Sequence, residues 1–343
     1  MILLNPTFSP APMIQFLLSC TLVLCLRVGA IAADAPQKPK LKIVPGQVIV
    51  PTGPGEMRRI WGELISIDAA TRTGKFRNEG DDSVMGFTVM PYAELLHHAA
   101  NGDLQDFRVG ERAIFRLHEN EQGEWHWLTY IQDEMNMLKN HGEYFHVDKI
   151  DASLGTLLCT WANSDKSFVR STDVLIETDA QTRFWREGKP AVLGDVRMGD
   201  KLRTKTHGTG GGKRRIAWEV FLDEESLLKF QAEQIAVHST RMRSEGAPGY
   251  VDSADARRLR VTLFNEGQEL WKDLKPGNAV RVVPAAPDRK PKAAPRDAKV
   301  VELTVKGRVC QVAVDLDDAE KDFQPPGLVR VFPSSSTGSG AQR

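Results

Sequence analysis

Gly199 to Glu224 reads GDKLRTKTHGTGGGKRRIAWEVFLDE, the pattern of a long β-hairpin. Leu202, Thr204 and Thr206 alternate with Lys201, Arg203 and Lys205, and beyond a glycine-rich turn Ile216, Trp218, Val220 and Leu222 recur at period two. Successive side chains on a strand point to opposite faces, so each set shares one face. The basic set has the pattern of a solvated face. Trp218 belongs with the core, where burial contributes about 2 to 3 kcal/mol.

The same pattern occurs upstream as GERAIFRLHENEQGEWHWLTYIQDE, Gly110 to Glu134, and more loosely downstream as GNAVRVVPAAPDRKPKAAPRDAKVVELTV, Gly277 to Val305. Landmarks repeat with it: Ile67 to Ile150, Gly110 to Gly199 and Asp133 to Asp223 are separated by 83, 89 and 90 residues. Three copies of one small β unit explain these spacings. Within the first unit, Trp61 to Ile67 and a return from Lys75 form an opening hairpin, Val84 to Met90 a further strand, and Pro91 to Ala100 a short helical connection. Asp133-Glu134 leads into MNMLKNHG, Met135 to Gly142, which reads as a short helix closed by Gly142, and Glu224 to Arg243 reads as a longer one ended by Gly246, each with acids at its start. Leu227, Gln231, Ile235, His238 and Met242 fall on one stripe of the longer helix. The third unit is abridged, and Val305 to Leu316 is the candidate strand to complete it.

The expected organisation is a signal peptide over 1–32, a Pro/Lys-rich linker over 33–56 and a first β-barrel repeat over 57–142. A second repeat with a C-terminal helix follows over 143–245, then the abridged third over 246–316 and a mostly disordered tail over 317–343. The leader rests on the 13-residue apolar run Ile14 to Leu26, followed by Arg27 and the small-x-small pattern Ala30-Ile31-Ala32. An uncleaved anchor with Arg27 snorkelling is the alternative. Cleavage is the favoured reading and leaves no transmembrane segment.

Composition sets limits. With 343 residues and 41% of them hydrophobic, the chain can bury several cores. Lys plus Arg and Asp plus Glu each number 45, so no global field attracts nucleic acid or an anionic membrane. Once the leader is gone, Cys159 and Cys310 are the thiols left in a disulfide-permissive compartment. A bridge closing about 150 residues would add roughly 5 kcal/mol in the chain-entropy model. Cys159 also alternates with Leu157 and Trp161 as a small buried hydrophobe does, and separate thiols are the favoured reading.

A unit that opens with strand-turn-strand and closes with a hairpin after a Gly-Asp type of step resembles the OB-like small barrels. The residues carrying the resemblance are Gly62 to Asp68 and Val147 to Asp151 with their turns. To these add Val109-Gly110-Glu111, Met198-Gly199-Asp200 and Pro276-Gly277-Asn278. The chain is similar in particular to tandem barrel domains of unknown function found in exported bacterial proteins. The resemblance covers about 250 residues and implies a mainly β fold of tandem small barrels joined by short helices, OB-like or SH3-like. It implies no catalytic residue and no cofactor.

Six of the eight histidines, His97, His98, His118, His126, His141 and His146, lie within or beside the first unit. Imidazoles with nearby carboxylates are donors for zinc or copper. His118 and His126 flank a hairpin turn and form the best candidate metal pair, although solvated histidines explain them more simply. Arg203, Lys205, Lys213, Arg214 and Arg215 form a candidate polyanion site on the second hairpin. His207 to Lys213 fails as a phosphate loop, because Arg214 stands where a magnesium-binding Ser or Thr is needed. Asp133-Glu134 and Asp223-Glu224-Glu225 are explained as helix N-terminal acids and need no catalytic role.

The expectation is therefore a non-catalytic exported protein, periplasmic or at the cell surface, that binds an unknown envelope protein or polymer; nucleic acid is disfavoured as a partner. The alternatives are a cell-wall hydrolase with its site between barrels, and a metal-binding protein using histidines of the first repeat.

Overall fold

The computed structural model describes residues 57–120, 122–209, 214–286, 291–317 and 323–334. The leader, the linker, the turn Gly210 to Lys213 and the end of the tail from Ser335 lie outside the described residues. Three small closed β-barrels follow one another, joined by few short helices. The first holds β1 (Met57–Asp68), β2 (Thr73–Asn78), β3 (Val84–His97), β4 (Ala100–Asn101), β5 (Arg112–Glu119) and β6 (Trp125–Asp133). Its ring runs β1-β2-β3-β6-β5 and back to β1, all antiparallel except β3 against β6. Helix α1 (Glu134–Asn140) leads to the second barrel.

That barrel holds β7 (Glu143–Asp151), β8 (Thr156–Asn163), β9 (Val169–Glu177), β10 (Arg183–Arg186), β11 (Lys189–Ala191), β12 (Lys201–Thr209) and β13 (Arg214–Phe221). Its ring, β7-β8-β9-β13-β12, repeats the first, again with one parallel pair, β9 and β13. Five strands closed in this order are consistent with repeated OB-like barrels. Helix α2 (Glu224–Glu245) then crosses to the third barrel. There β14 (Ala247–Asp255), β15 (Arg258–Leu263), the single turn α3 (Gln268–Trp271), β16 (Ala279–Pro284), β17 (Arg296–Lys306), β18 (Val309–Leu316) and β19 (Leu328–Pro333) follow. Its closed ring is β14-β15-β18-β17-β16-β19. No helix among the described residues is long and apolar enough to cross a membrane.

Each barrel has its own apolar interior. Phe76, Phe87 and Phe115 stack in the first, Phe145, Leu157 and Cys159 fill the second, and Leu259, Val261, Cys310 and Val312 fill the third. Caps mark the helices: Asp133 and Asp223 accept from the backbone N–H groups of Asn136 and Ser226. Gly142 and Gly246 adopt positive φ just beyond the helix ends.

The third barrel is completed as its sequence suggests, with β18 beside β15, but its sixth strand is β19. Leu328 to Pro333 thus lies in the barrel wall, inside the segment expected to be disordered tail. Pro91 to Ala100 is the second difference. Its Ala, Glu and Leu residues favour a helix, yet β3 continues to His97 with Ala93, Leu95 and His97 buried at period two. Tertiary burial overrides helix propensity here. Pro91, which cannot donate to a ladder, sits in a bulge where Val89 pairs with Leu128 and Glu94 with Tyr130.

The tryptophans differ from the sequence reading as well. A register shift in the β12–β13 ladder leaves Trp218 out of the core, half-buried and stacked on His207, while Ala217 enters it. Trp127 lies opposite His118, and the corresponding partner of His207 is Ile216. So the barrels correspond while Trp127 and Trp218 do not. On α2, Leu227, Gln234, His238 and Met242 form the buried stripe, and Ile235 is half exposed.

Among the described residues Cys159 and Cys310 form no disulfide; they are buried in different barrels, and burial pushes each thiol up to about 12. Iodoacetamide followed by peptide mapping is expected to leave both unlabelled in the native protein and to label both after unfolding without reductant. A peptide pair released only by reductant would contradict this.

Candidate functional site

Between the first two barrels the chain buries a network of ionised groups. Strand β12 carries Lys205 on the face opposite its own barrel's core, and that face packs on the first barrel. Lys205, Glu111, Asp133 and Glu219 are each 0% exposed. Lys205 Nζ lies 2.7 Å from Glu111 Oε1, 3.6 Å from Asp133 Oδ2 and 3.5 Å from His98 Nε2, and it also hydrogen-bonds His97 Nε2. An ammonium removed from water is tolerated only when acceptors surround it, and here Glu111, Asp133 and His97 do, one for each N–H, while His98 Nε2 is turned to a carboxylate of its own.

The imidazoles are set by their second partners. His97 Nδ1 is 3.2 Å from Gln234 Oε1 on α2, so it carries the proton and leaves Nε2 bare to accept from Lys205. Burial, with the Lys205 charge beside it, holds the His97 pKa well below its ordinary value, so the ring is neutral. His98 Nε2 meets Glu219 Oε2 at 2.9 Å. Burial alone would raise the Glu219 carboxyl, but the His98 hydrogen bond and the nearby positive charges win and bring it down to about 2. Burial likewise pushes the Glu111 carboxyl up, and the Lys205 charge pulls against it.

A second cluster continues the seam. Glu134, at the first position of α1, accepts from Arg112 Nη1 at 2.6 Å, Thr206 Oγ1 at 2.6 Å and Arg215 Nη1 at 3.2 Å. The Arg112 guanidinium lies 3.8 Å above Trp61, whose ring meets Trp161 of the second barrel edge-on.

Asp133 ties the network to the backbone. One carboxylate oxygen caps α1, and the other accepts the His98 backbone N–H at 2.7 Å. His98 and Ala99 make the two-residue turn between β3 and β4, with φ of 48° and 62°. Such a turn usually takes Asn-Gly, and a non-glycine residue at positive φ costs roughly 1 to 3 kcal/mol. The buried contacts of His98 and a 2.7 Å hydrogen bond from Gln231 Nε2 to the Ala99 carbonyl hold it in place.

Ala99 also lines an open cleft of about 530 Å³ formed by the first barrel, α1, α2 and the third barrel. Carboxamides predominate in its lining: Asn101, Asn136, Asn140, Gln231, Asn265 and Gln268. His238 and Glu266 stand in the same wall, joined by a 2.8 Å bond between His238 Nε2 and the Glu266 carbonyl oxygen. Glu266 is itself neutralised by the buried Arg72.

The candidates from sequence are distributed differently. His118 and His126 are not joined: His118 bonds Thr129 Oγ1 and His126 bonds Thr88 Oγ1, each at 3.0 Å. Donor atoms of His97, His98 and Asp133 do converge within 4.8 Å, a grouping able to hold a metal. The Lys205 ammonium sits among them, and a divalent ion in that position would face it at contact distance. The basic residues of the second hairpin make no continuous surface. Arg203 is buried against Tyr144 and Glu224, Lys205 is in the network, Arg214 is exposed and pairs with Glu177, and Arg215 pairs with Glu134. Lys213 lies outside the described residues.

Comparison with known proteins returns no matching family model, no matching curated protein and no matching solved structure.

Lys205→Met is expected to lower unfolding stability by about 3 to 5 kcal/mol in denaturant titrations, because Glu111 and Asp133 lose their counter-charge. Adding Glu111→Gln to it should recover part of the loss. A single variant within about 1 kcal/mol of wild type would show that the network is not what joins the barrels.

Proposed function

We propose that this is a non-catalytic exported protein of the cell envelope, related to the tandem OB-like barrel proteins, that binds a cell-wall polymer. The observation that carries this reading is the sealing of the ionic network. His97 and His98 are only 4% and 8% exposed, the carboxylates around them are fully buried, and each is engaged by a partner within the protein. General acid–base or nucleophilic chemistry needs such groups within hydrogen-bond reach of a substrate, and these are spent on holding two barrels together. What faces solvent is a cleft of carboxamides, which recognise polar ligands but are poor proton-transfer groups at neutral pH. Support for export comes from the apolar run Ile14 to Leu26 and the small-x-small pattern after it.

The competing reading, a cell-wall hydrolase, draws on the convergence of histidines and carboxylates between the first two barrels. Incubation with purified insoluble cell-wall material separates the two. The binding reading expects saturable co-sedimentation and no soluble fragments by mass spectrometry. Time-dependent release of fragments, abolished by His97→Gln or Glu219→Gln, would replace it with the enzyme.

A further inference from the structure

The amide-lined cleft has features of a specific site that the network does not need. Asn101, Asn140 and Gln268 are exposed on its surface and make no side-chain hydrogen bond within the protein among the described residues. Behind them, two buried acceptors in the same wall have no partner among the described residues. His238 spends its Nε2–H on the Glu266 carbonyl, which leaves Nδ1 as a bare lone pair, and His238 is only 6% exposed. Asn265 donates through Nδ2 to the Ala93 carbonyl and leaves Oδ1 unmatched. An orphaned buried acceptor costs on the order of 1 to 3 kcal/mol, so two in one wall mark a place not built for stability alone. The strained His98-Ala99 turn stands beside them and carries the same mark.

The acids around the cleft are paired, and one exposed lysine stands at its edge. Arg72 neutralises Glu266, while Glu269 accepts from Ser239 Oγ at 2.6 Å and has Arg243 at 3.7 Å. Lys272, which pairs with no acid among the described residues, is that exposed lysine. A single solvated charge at the rim supplies little field within the cleft, so recognition there falls to the amides. Primary amides each present a donor pair and an acceptor, which matches vicinal hydroxyls, while Leu96 and the half-exposed Ile235 give an apolar spot for a C–H face. The volume of about 530 Å³ lies within the range of small-ligand sites.

We propose that this cleft binds a neutral oligosaccharide through Asn101, Asn140 and Gln268, with the His238 and Asn265 acceptors beneath them. This names the ligand class for the binding protein proposed above and rests on that reading. The test titrates the full chain with chitotriose and, separately, maltotriose by calorimetry, alongside Asn140→Ala and Gln268→Ala. Both substitutions are at exposed positions that leave the cores untouched. The expected result is saturable binding of at least one trisaccharide, weakened about two- to tenfold by each substitution, the loss of one hydrogen bond. Absence of saturation with either sugar, or binding that neither substitution changes, overturns the proposal. Co-sedimentation of the same variants with cell-wall material separates the two levels. Retention that ignores the cleft removes the site and leaves the binding function, and loss of retention by wild type removes both.

Discussion

One ammonium group fixes how the first two barrels meet. Lys205 belongs to the second barrel, yet its three acceptors all come from the first: Glu111 from the step before β5, Asp133 from the end of β6 and His97 from the end of β3. Burying a charge is costly, and the cost is recovered only in a geometry that supplies every acceptor together. An apolar seam tolerates sliding, whereas this one defines a single register. The bridge between Glu111 and His207, and the backbone hydrogen bond from Gly208 to the Gly110 carbonyl, extend that register along β12.

The same constraint reaches the cleft through a short chain of bonds. Lys205 and Glu219 hold the two imidazoles, Asp133 holds the His98 backbone, and the His98-Ala99 turn then forms part of the cleft wall. Helix α2 closes the loop, since Gln231 and Gln234 grip this turn and His97 while His238 binds the third barrel at Glu266. A buried electrostatic seam thereby positions a solvent-facing site without contributing a reactive group to it. Strain at the turn is affordable because residues on both sides of it are over-determined by these contacts.

Much of the architecture was legible in the sequence. The repeated hairpins, the acidic helix starts at Asp133 and Asp223 and the terminating glycines all arise from local physics, and local physics is what a pattern records. The interface was not legible. Lys201, Arg203 and Lys205 alternate in the same way whether water or another barrel covers them, and only the fold tells which. The helical expectation for Pro91 to Ala100 failed because propensity there yielded to burial of Ala93 and Leu95. His118 and His126 drew notice by flanking a turn, whereas the consequential pair, His97 and His98, becomes close to Lys205 only through contacts more than 100 residues apart in sequence. The cleft gathers residues from four regions of the chain, and no spacing could announce it.

The charge state and seclusion of Lys205 can be observed directly by NMR with the protein selectively labelled at lysine Nζ. A buried ammonium held by Glu111, Asp133 and His97 should give one resolved, slowly exchanging NH3+ signal near neutral pH, which disappears in Lys205→Met while the exposed lysines remain averaged with water. A Lys205 signal exchanging as fast as those of exposed lysines would contradict the sealed network and, with it, this description of how the barrels are joined.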